Sequence, residues 1–218
     1  MKQILLKAVF LFSGVVYANE CISSGTVCNI PGTSGNDGIY KVFSPVGASS
    51  IKNIKQAPRL STLKGKNIAV VGGSFMASVT HPEIKRLILQ KFPEAKVYVL
   101  SEIGSAGVWP GPGIVREQKD DFVRKLKQLK IDAVISGNGG CGLCTPKEMG
   151  SCIAAEYAGI PAVMIAAPGF SVQAKRTAQI AGVPIPRIAE YPGAFSAHSR
   201  KELLGNPRKV LSPQILAA

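Results

Sequence analysis

The chain is expected to fold as an α/β domain around a doubly wound, mostly parallel sheet of about four or five strands, flavodoxin-like in outline, with an irregular amino-terminal arm. Two observations predict this. From Lys64 onward, short β-branched runs alternate with amphipathic helical patterns, and such alternation implies right-handed βαβ units. The glycine-rich stretches, Gly72-Gly73-Ser74 and Gly137 to Gly142, follow predicted strands rather than interrupt helices. A length of 218 residues is enough for one domain with a substantial core.

The elements follow in order. Asn67–Val71 is a strand. Thr80 and Glu83 have capping-box spacing, with Pro82 near a helix start, and that helix runs to Phe92 with Ile84, Leu87, Ile88 and Phe92 on one face. Lys96–Leu100 is the second strand. Glu102–Gly113 is a Gly/Pro-rich loop holding Trp109, as a lid contact or a packed surface aromatic. Ile114–Lys130 is an amphipathic helix with Val115, Phe122, Leu126 and Leu129 inward. Ile131–Ile135 is a buried central strand. Thr145, Pro146 and Glu148 signal a helix that stops at Gly159. Pro161–Ala167 is a strand, Ser171–Ala181 a helix ending at Gly182, and Arg187–Ala189 a last short strand. The domain is expected over 65–218, including a carboxyl-terminal extension, with 19–64 as the arm.

Ligands in such sheets bind at the carboxyl ends of the strands. That edge gathers Ser74, Asn138, Gly139, Gly140, Gly142, Thr145 and Phe170 as expected substrate contacts. It also holds Cys141-Gly-Leu-Cys144, a Cys-x-x-Cys just before a helix start. The spacing allows a short disulfide, and free amides with the helix dipole favour a thiolate at Cys144. Small thiols filling space beside a tight loop are the structural alternative. The amides of Gly139, Gly140 and Gly142 are placed to support developing negative charge. Cys152, eight residues after Cys144 on the same helix, lies roughly 12 Å away, too far to bridge, and is expected as a buried apolar residue. His81 and His198 are the two histidines. Each is a candidate for proton transfer or an ordinary packed side chain. Zinc requires four nitrogen or sulfur ligands, and the sequence offers no second ligand pair after the loop, so no metal is expected. Gly72-Gly73-Ser74 lacks the dinucleotide and Walker patterns, so no nucleotide or other cofactor is expected.

Residues 1–18 look like an export signal: Lys2 and Lys7 flank a short basic region, Ala8–Val16 is apolar but too short to span a bilayer, and Val16-Tyr17-Ala18 fits a signal peptidase. Cleavage after Ala18 is expected, giving a periplasmic or secreted protein. The net charge of +13 then falls to +11 with the loss of two lysines. The basic residues are scattered and not interleaved with aromatics, so nucleic acid is not an expected partner. No later stretch is long enough to cross a membrane. Of five cysteines, Cys21 and Cys28 either close a small disulfide loop or stay unpaired, and the odd count leaves at least one thiol free.

The Cys141-Gly-Leu-Cys144 tetrapeptide after Asp132-Ala-Val-Ile-Ser-Gly-Asn-Gly-Gly resembles the UGSC family, named for a selenocysteine-Gly-Ser-Cys motif after a central strand. The likeness extends to Ile153-Ala-Ala-Glu156-Tyr-Ala-Gly-Ile160-Pro161, to Ser44-Pro-Val-Gly47, to Leu63-Lys-Gly-Lys-Asn-Ile-Ala-Val70, and to Gly182-Val-Pro-Ile-Pro-Arg-Ile188 with Tyr191-Pro192. It covers roughly residues 40–195 and implies a single α/β domain with a reactive (seleno)thiol pair. Cys141 stands at the selenocysteine position and Cys144 at the second cysteine. Leu143 replaces the family serine, cysteine replaces selenocysteine, and an export signal is added. The resemblance thus favours Cys141 as the nucleophile, where the helix dipole favours Cys144. The expected function is an exported thiol-dependent enzyme of thiol-disulfide oxidoreductase type acting on a small-molecule or thiol substrate. The alternatives are a cysteine-based lyase or racemase, and a non-catalytic exported protein that binds a small molecule or metal.

Overall fold

The structure, a computed structural model, describes residues 51–107 and 114–217. The expected leader, Cys21 and Cys28, most of the expected arm and Trp109 lie outside the described residues. Five strands, β1 (Asn67–Val71), β2 (Lys96–Val99), β3 (Ala133–Gly139), β4 (Ala162–Ala166) and β5 (Arg187–Glu190), form one sheet in the order β2-β1-β3-β4-β5. All of its pairings are parallel. The helices are α1 (Ala77–Lys91), α2 (Leu100–Ile103), α3 (Ile114–Gln128), α4 (Cys144–Tyr157), α5 (Ser171–Ile180), α6 (Arg200–Asn206) and α7 (Ser212–Ala217). The chain direction across the sheet reverses between β1 and β3, which makes that crevice the place where this topology binds ligands.

Both faces of the sheet are buried, and successive strand residues feed opposite cores. Ala69, Val71, Val134, Met164 and Ala166 pack under α3, α4 and α5 with Phe122, Leu126, Met149 and Ile153. Ile68, Val70, Ile135, Val163 and Ile165 pack on the other side under α1 with Ile84 and Ile88. The carboxyl-terminal extension closes that second face: Leu203 of α6 and Leu211, in the π-helical turn Pro207–Leu211 between α6 and α7, are fully buried there. No helix among the described residues is long and apolar enough to cross a membrane.

Several element boundaries differ from the sequence expectation. Both expected capping boxes fail, because each acid finds a better partner elsewhere. Glu83 pairs with Arg86 at 2.7 Å and Arg208 at 3.2 Å, while the Thr80 hydroxyl accepts a hydrogen bond from Asn138 at 3.0 Å. The helix therefore begins one turn earlier, at Ala77, and Pro82 lies inside it. Glu148 turns away from Thr145 toward the end of β1, so α4 starts at Cys144 and Pro146 is its third residue. A capping box does form at α6, where Ser199 and Glu202 bond reciprocally. The central strand continues past Ile135 to Gly139. Glycine is depleted in strands, which is why this run reads as loop, but β4 pairs with it as far as Gly139 and Ala166. The segment after β2 opens with the short helix α2 rather than a loop.

One buried ion pair fixes the lower end of the fold. Glu156, at the end of α4, accepts hydrogen bonds from the Ala57 amide at 2.9 Å, the Ala162 amide at 3.1 Å and the Arg187 guanidinium at 2.5 Å. Arg187 also donates to the Ala57 carbonyl at 2.8 Å. The lead-in segment, β4 and β5 are thus held by one carboxylate. Removing one member of a buried pair strands the other charge. Glu156→Ala is expected to cost about 3–5 kcal/mol and Glu156→Gln, which keeps one acceptor, less; urea unfolding with an unchanged m-value is the check.

Candidate functional site

The carboxyl edge of the sheet gathers the candidate site residues around the β1/β3 crevice. Cys141 and Cys144 are joined as a disulfide, with Cα atoms 5.2 Å apart. The pair is half-buried at the start of α4. Cys141 caps the helix: its carbonyl accepts from the Thr145 amide at 3.1 Å, and its sulfur accepts from the Cys144 amide at 3.0 Å. The first amide of α4 is therefore directed at the Cys141 sulfur. The described amide on that sulfur is that of Cys144, not of Gly139, Gly140 or Gly142. Gly142 is exposed, and its carbonyl accepts from Gln173 of α5 at 2.8 Å, which ties the loop to a second helix.

Glu148 is the site group that the sequence treated only as a cap. It lies one helical turn after Cys144, on the same face of α4. Its carboxyl reaches across to the end of β1 and to β3. Its side chain is fully buried. One carboxyl oxygen accepts from the Ser74 hydroxyl at 2.7 Å and the Gly73 amide at 3.3 Å, and the other from the Ser136 hydroxyl at 3.3 Å. Burial raises its pKa above the usual carboxylate value, against the opposing effect of these hydrogen bonds and of Lys147. Space for this arrangement exists because residue 72 is glycine. A Cβ there would collide with the Gly137 carbonyl and with Glu148 itself, and its φ of 104° is left-handed.

The remaining predicted residues divide between wall and scaffold. Ser74 is half-exposed beside Glu148. Asn138 is fully buried, and its amide group donates to the Phe75 carbonyl at 2.7 Å as well as to Thr80. Gly139 ends β3, its carbonyl accepting from Ala167 at 2.8 Å. Thr145 is buried, with no partner for its hydroxyl among the described residues. Gly140 and Phe170 line a pocket of about 120 Å³ with Phe75 and Phe195. His81 is buried against Asn138, and burial pushes its pKa down to about 4, so it is neutral at ordinary pH. His198 packs edge-on to Tyr191 at 5.2 Å, contacts the Ala194 carbonyl at 2.9 Å, and sits on the loop that forms the pocket rim. Cys152 is a free thiol in the core, its pKa driven far up by burial. Phe75, Phe195 and Gln173 were not singled out in the sequence. A larger cavity of about 310 Å³ lies at the opposite, amino ends of the strands, lined by Ile68, Ala133, Ala162 and Arg187. The smaller pocket is the one lined by Gly140, the residue that precedes Cys141.

Glu148 generates a pH prediction. Its folded-state pKa is raised above the unfolded value, so the folded protein holds that proton more tightly. Its unfavourable contribution is absent below the unfolded pKa and is incurred as pH rises through the raised folded pKa. Glu148→Gln can retain the Ser74 and Gly73 hydrogen bonds without that charge. The stability of the variant relative to the wild type is expected to increase as pH climbs from the ordinary carboxylate range and then to level off; urea unfolding across a pH series measures it.

The model of the UGSC family matches residues 41–218. No curated protein and no solved structure matches the chain.

Proposed function

The chain belongs to the UGSC family, and from that premise we propose that it is an exported thiol-disulfide oxidoreductase whose Cys141–Cys144 pair exchanges with a small sulfur substrate. The observation that carries this is the amide of Cys144 bonded to the Cys141 sulfur at a half-buried helix start, next to a substrate-sized pocket.

In the reduced enzyme, the Cys141 thiolate attacks one sulfur of a substrate disulfide. The substrate S–S bond breaks, one thiolate leaves, and a mixed disulfide forms at Cys141. Cys144 then loses its proton toward Glu148, directly or through the Ser74 hydroxyl, and its thiolate attacks the Cys141 sulfur. The second substrate thiolate leaves and the Cys141–Cys144 bond closes. The substrate gains two electrons and the enzyme loses two; a thiol reductant reverses the change. A buried carboxyl group with a raised pKa suits the role of proton acceptor near neutral pH.

A cysteine-pair racemase needs thiols facing each other across a substrate. Cys152 is in the core and cannot face Cys141, and Cys144 is its immediate partner rather than an opposed one, so the exchange reaction is favoured. Export is proposed from the leader-like residues 1–18 alone.

The test is mixed-disulfide trapping followed by mass spectrometry. Cys144→Ser should accumulate a stable adduct at Cys141, and Cys141→Ser should give none at a comparable rate. Glu148→Gln should form the adduct normally but resolve it at least roughly tenfold more slowly, the lower end of the usual worth of general acid–base catalysis. Equal and slow labelling of both cysteines would contradict the proposal.

A further inference from the structure

The pocket lined by Gly140, the residue before Cys141, has a definite chemical character. Phe75, Phe170 and Phe195 present three phenyl rings, and Gly140, Ala167 and Pro168 complete the apolar lining. Ser196 and the backbone of Gly193 and Ala194 are at the rim, and no charged side chain lines it. The volume of about 120 Å³ is of the order of the ~150 Å³ engineered protein cavity that accommodates benzene.

The walls are built in place. Phe195 is buried and stacks on Tyr191 with ring centroids 4.2 Å apart. Phe75 has a left-handed backbone, φ 36°, and is followed by Met76 at φ 56°. Such conformations are unfavourable for residues with side chains and persist where the surroundings impose them. Here the buried Asn138 side chain holds the Phe75 carbonyl at 2.7 Å. Gly140 keeps the space open: a Cβ at that position would lie 3.2 Å from the Phe195 ring and 3.3 Å from the Phe75 ring. Gly140 immediately precedes Cys141, so the pocket wall and the attacking residue are adjacent in the chain.

We infer that this pocket selects the substrate of the cysteine pair, and that the substrate is a low-molecular-weight disulfide or thiol carrying one compact apolar or aromatic group of about phenyl size. This rests on thiol exchange at Cys141. A protein disulfide is excluded by the size of the pocket, and an anionic peptide thiol finds no charged partner in its lining. In the exchange step, the apolar group enters the pocket while its sulfur becomes the one bonded to Cys141; the other half of the substrate leaves as a thiolate.

The experiment compares three disulfides with the reduced wild-type protein: benzyl 2-hydroxyethyl disulfide, bis(2-hydroxyethyl) disulfide and glutathione disulfide. Each rate is divided by that of a free cysteine peptide to remove intrinsic reactivity. The benzyl compound is expected to be favoured by roughly tenfold or more, the scale of burying a large apolar group. Phe170→Ala, which widens the pocket, and Gly140→Ala, which narrows it, should each bring that ratio toward one. In the wild type, excess benzyl alcohol should slow the benzyl disulfide competitively. A ratio near one in the wild type, a preference for glutathione disulfide, or a ratio unmoved by both variants overturns the inference while leaving thiol exchange standing. Failure of all three compounds to react overturns both.

Discussion

A single buried carboxyl group organises the reactive edge of this domain. Glu148 reaches from α4 across the crevice between β1 and β3 and is hydrogen-bonded to Gly73, Ser74 and Ser136. Among the described residues its hydrogen bonds are the polar ties from the loop after β1 to α4, and both cysteines sit at or just before the start of that helix. Burying this carboxyl is costly unless its lone pairs are satisfied. Two hydroxyls and one amide satisfy them, and Gly72 leaves the room. In the proposed exchange reaction, the same burial that raises its pKa fits it for proton transfer, so one residue would serve position and chemistry together.

At the opposite end of α4, Glu156 plays a purely architectural part. The two acids have different surroundings and so different consequences. Glu156 faces a guanidinium, whereas Glu148 has hydroxyl and amide donors and no bonded cation. Between them lies Cys152, sealed in apolar packing and chemically inert. The helix therefore carries the cysteine pair at one end and a structural ion pair at the other, separated by core.

Much of the architecture was legible in the chain because both sheet faces are buried, so the strands are β-branched runs that local composition reveals. β1, β4 and α5 lie within a residue or two of their expected places. The errors share a cause: a local motif was outbid by a distant partner. Thr80-x-x-Glu83 and Thr145-x-x-Glu148 have capping spacing, but Asn138, Arg208, Ser74 and Ser136 are remote in sequence and invisible to a local pattern. The Cys141–Cys144 pair was readable from spacing. The placement of Glu148 one helical turn after Cys144 was available in the spacing, yet its capping pattern hid it. Phe75 and Phe195 had no local signal, since the first reaches Gly140 only through the pairing of β1 with β3 and the second only through the segment after β5.

The account depends on the cysteine pair being a reversible redox centre within an intact fold. The most direct measurement is a redox titration of the native protein in dithiol/disulfide buffers, with the state of each cysteine read by alkylation and mass spectrometry. A single two-electron transition confined to Cys141 and Cys144, with the same midpoint from both directions and an unchanged circular dichroism spectrum, is the predicted result. A bond that yields only on unfolding, or thiols that fail to reoxidise in the folded protein, would contradict it.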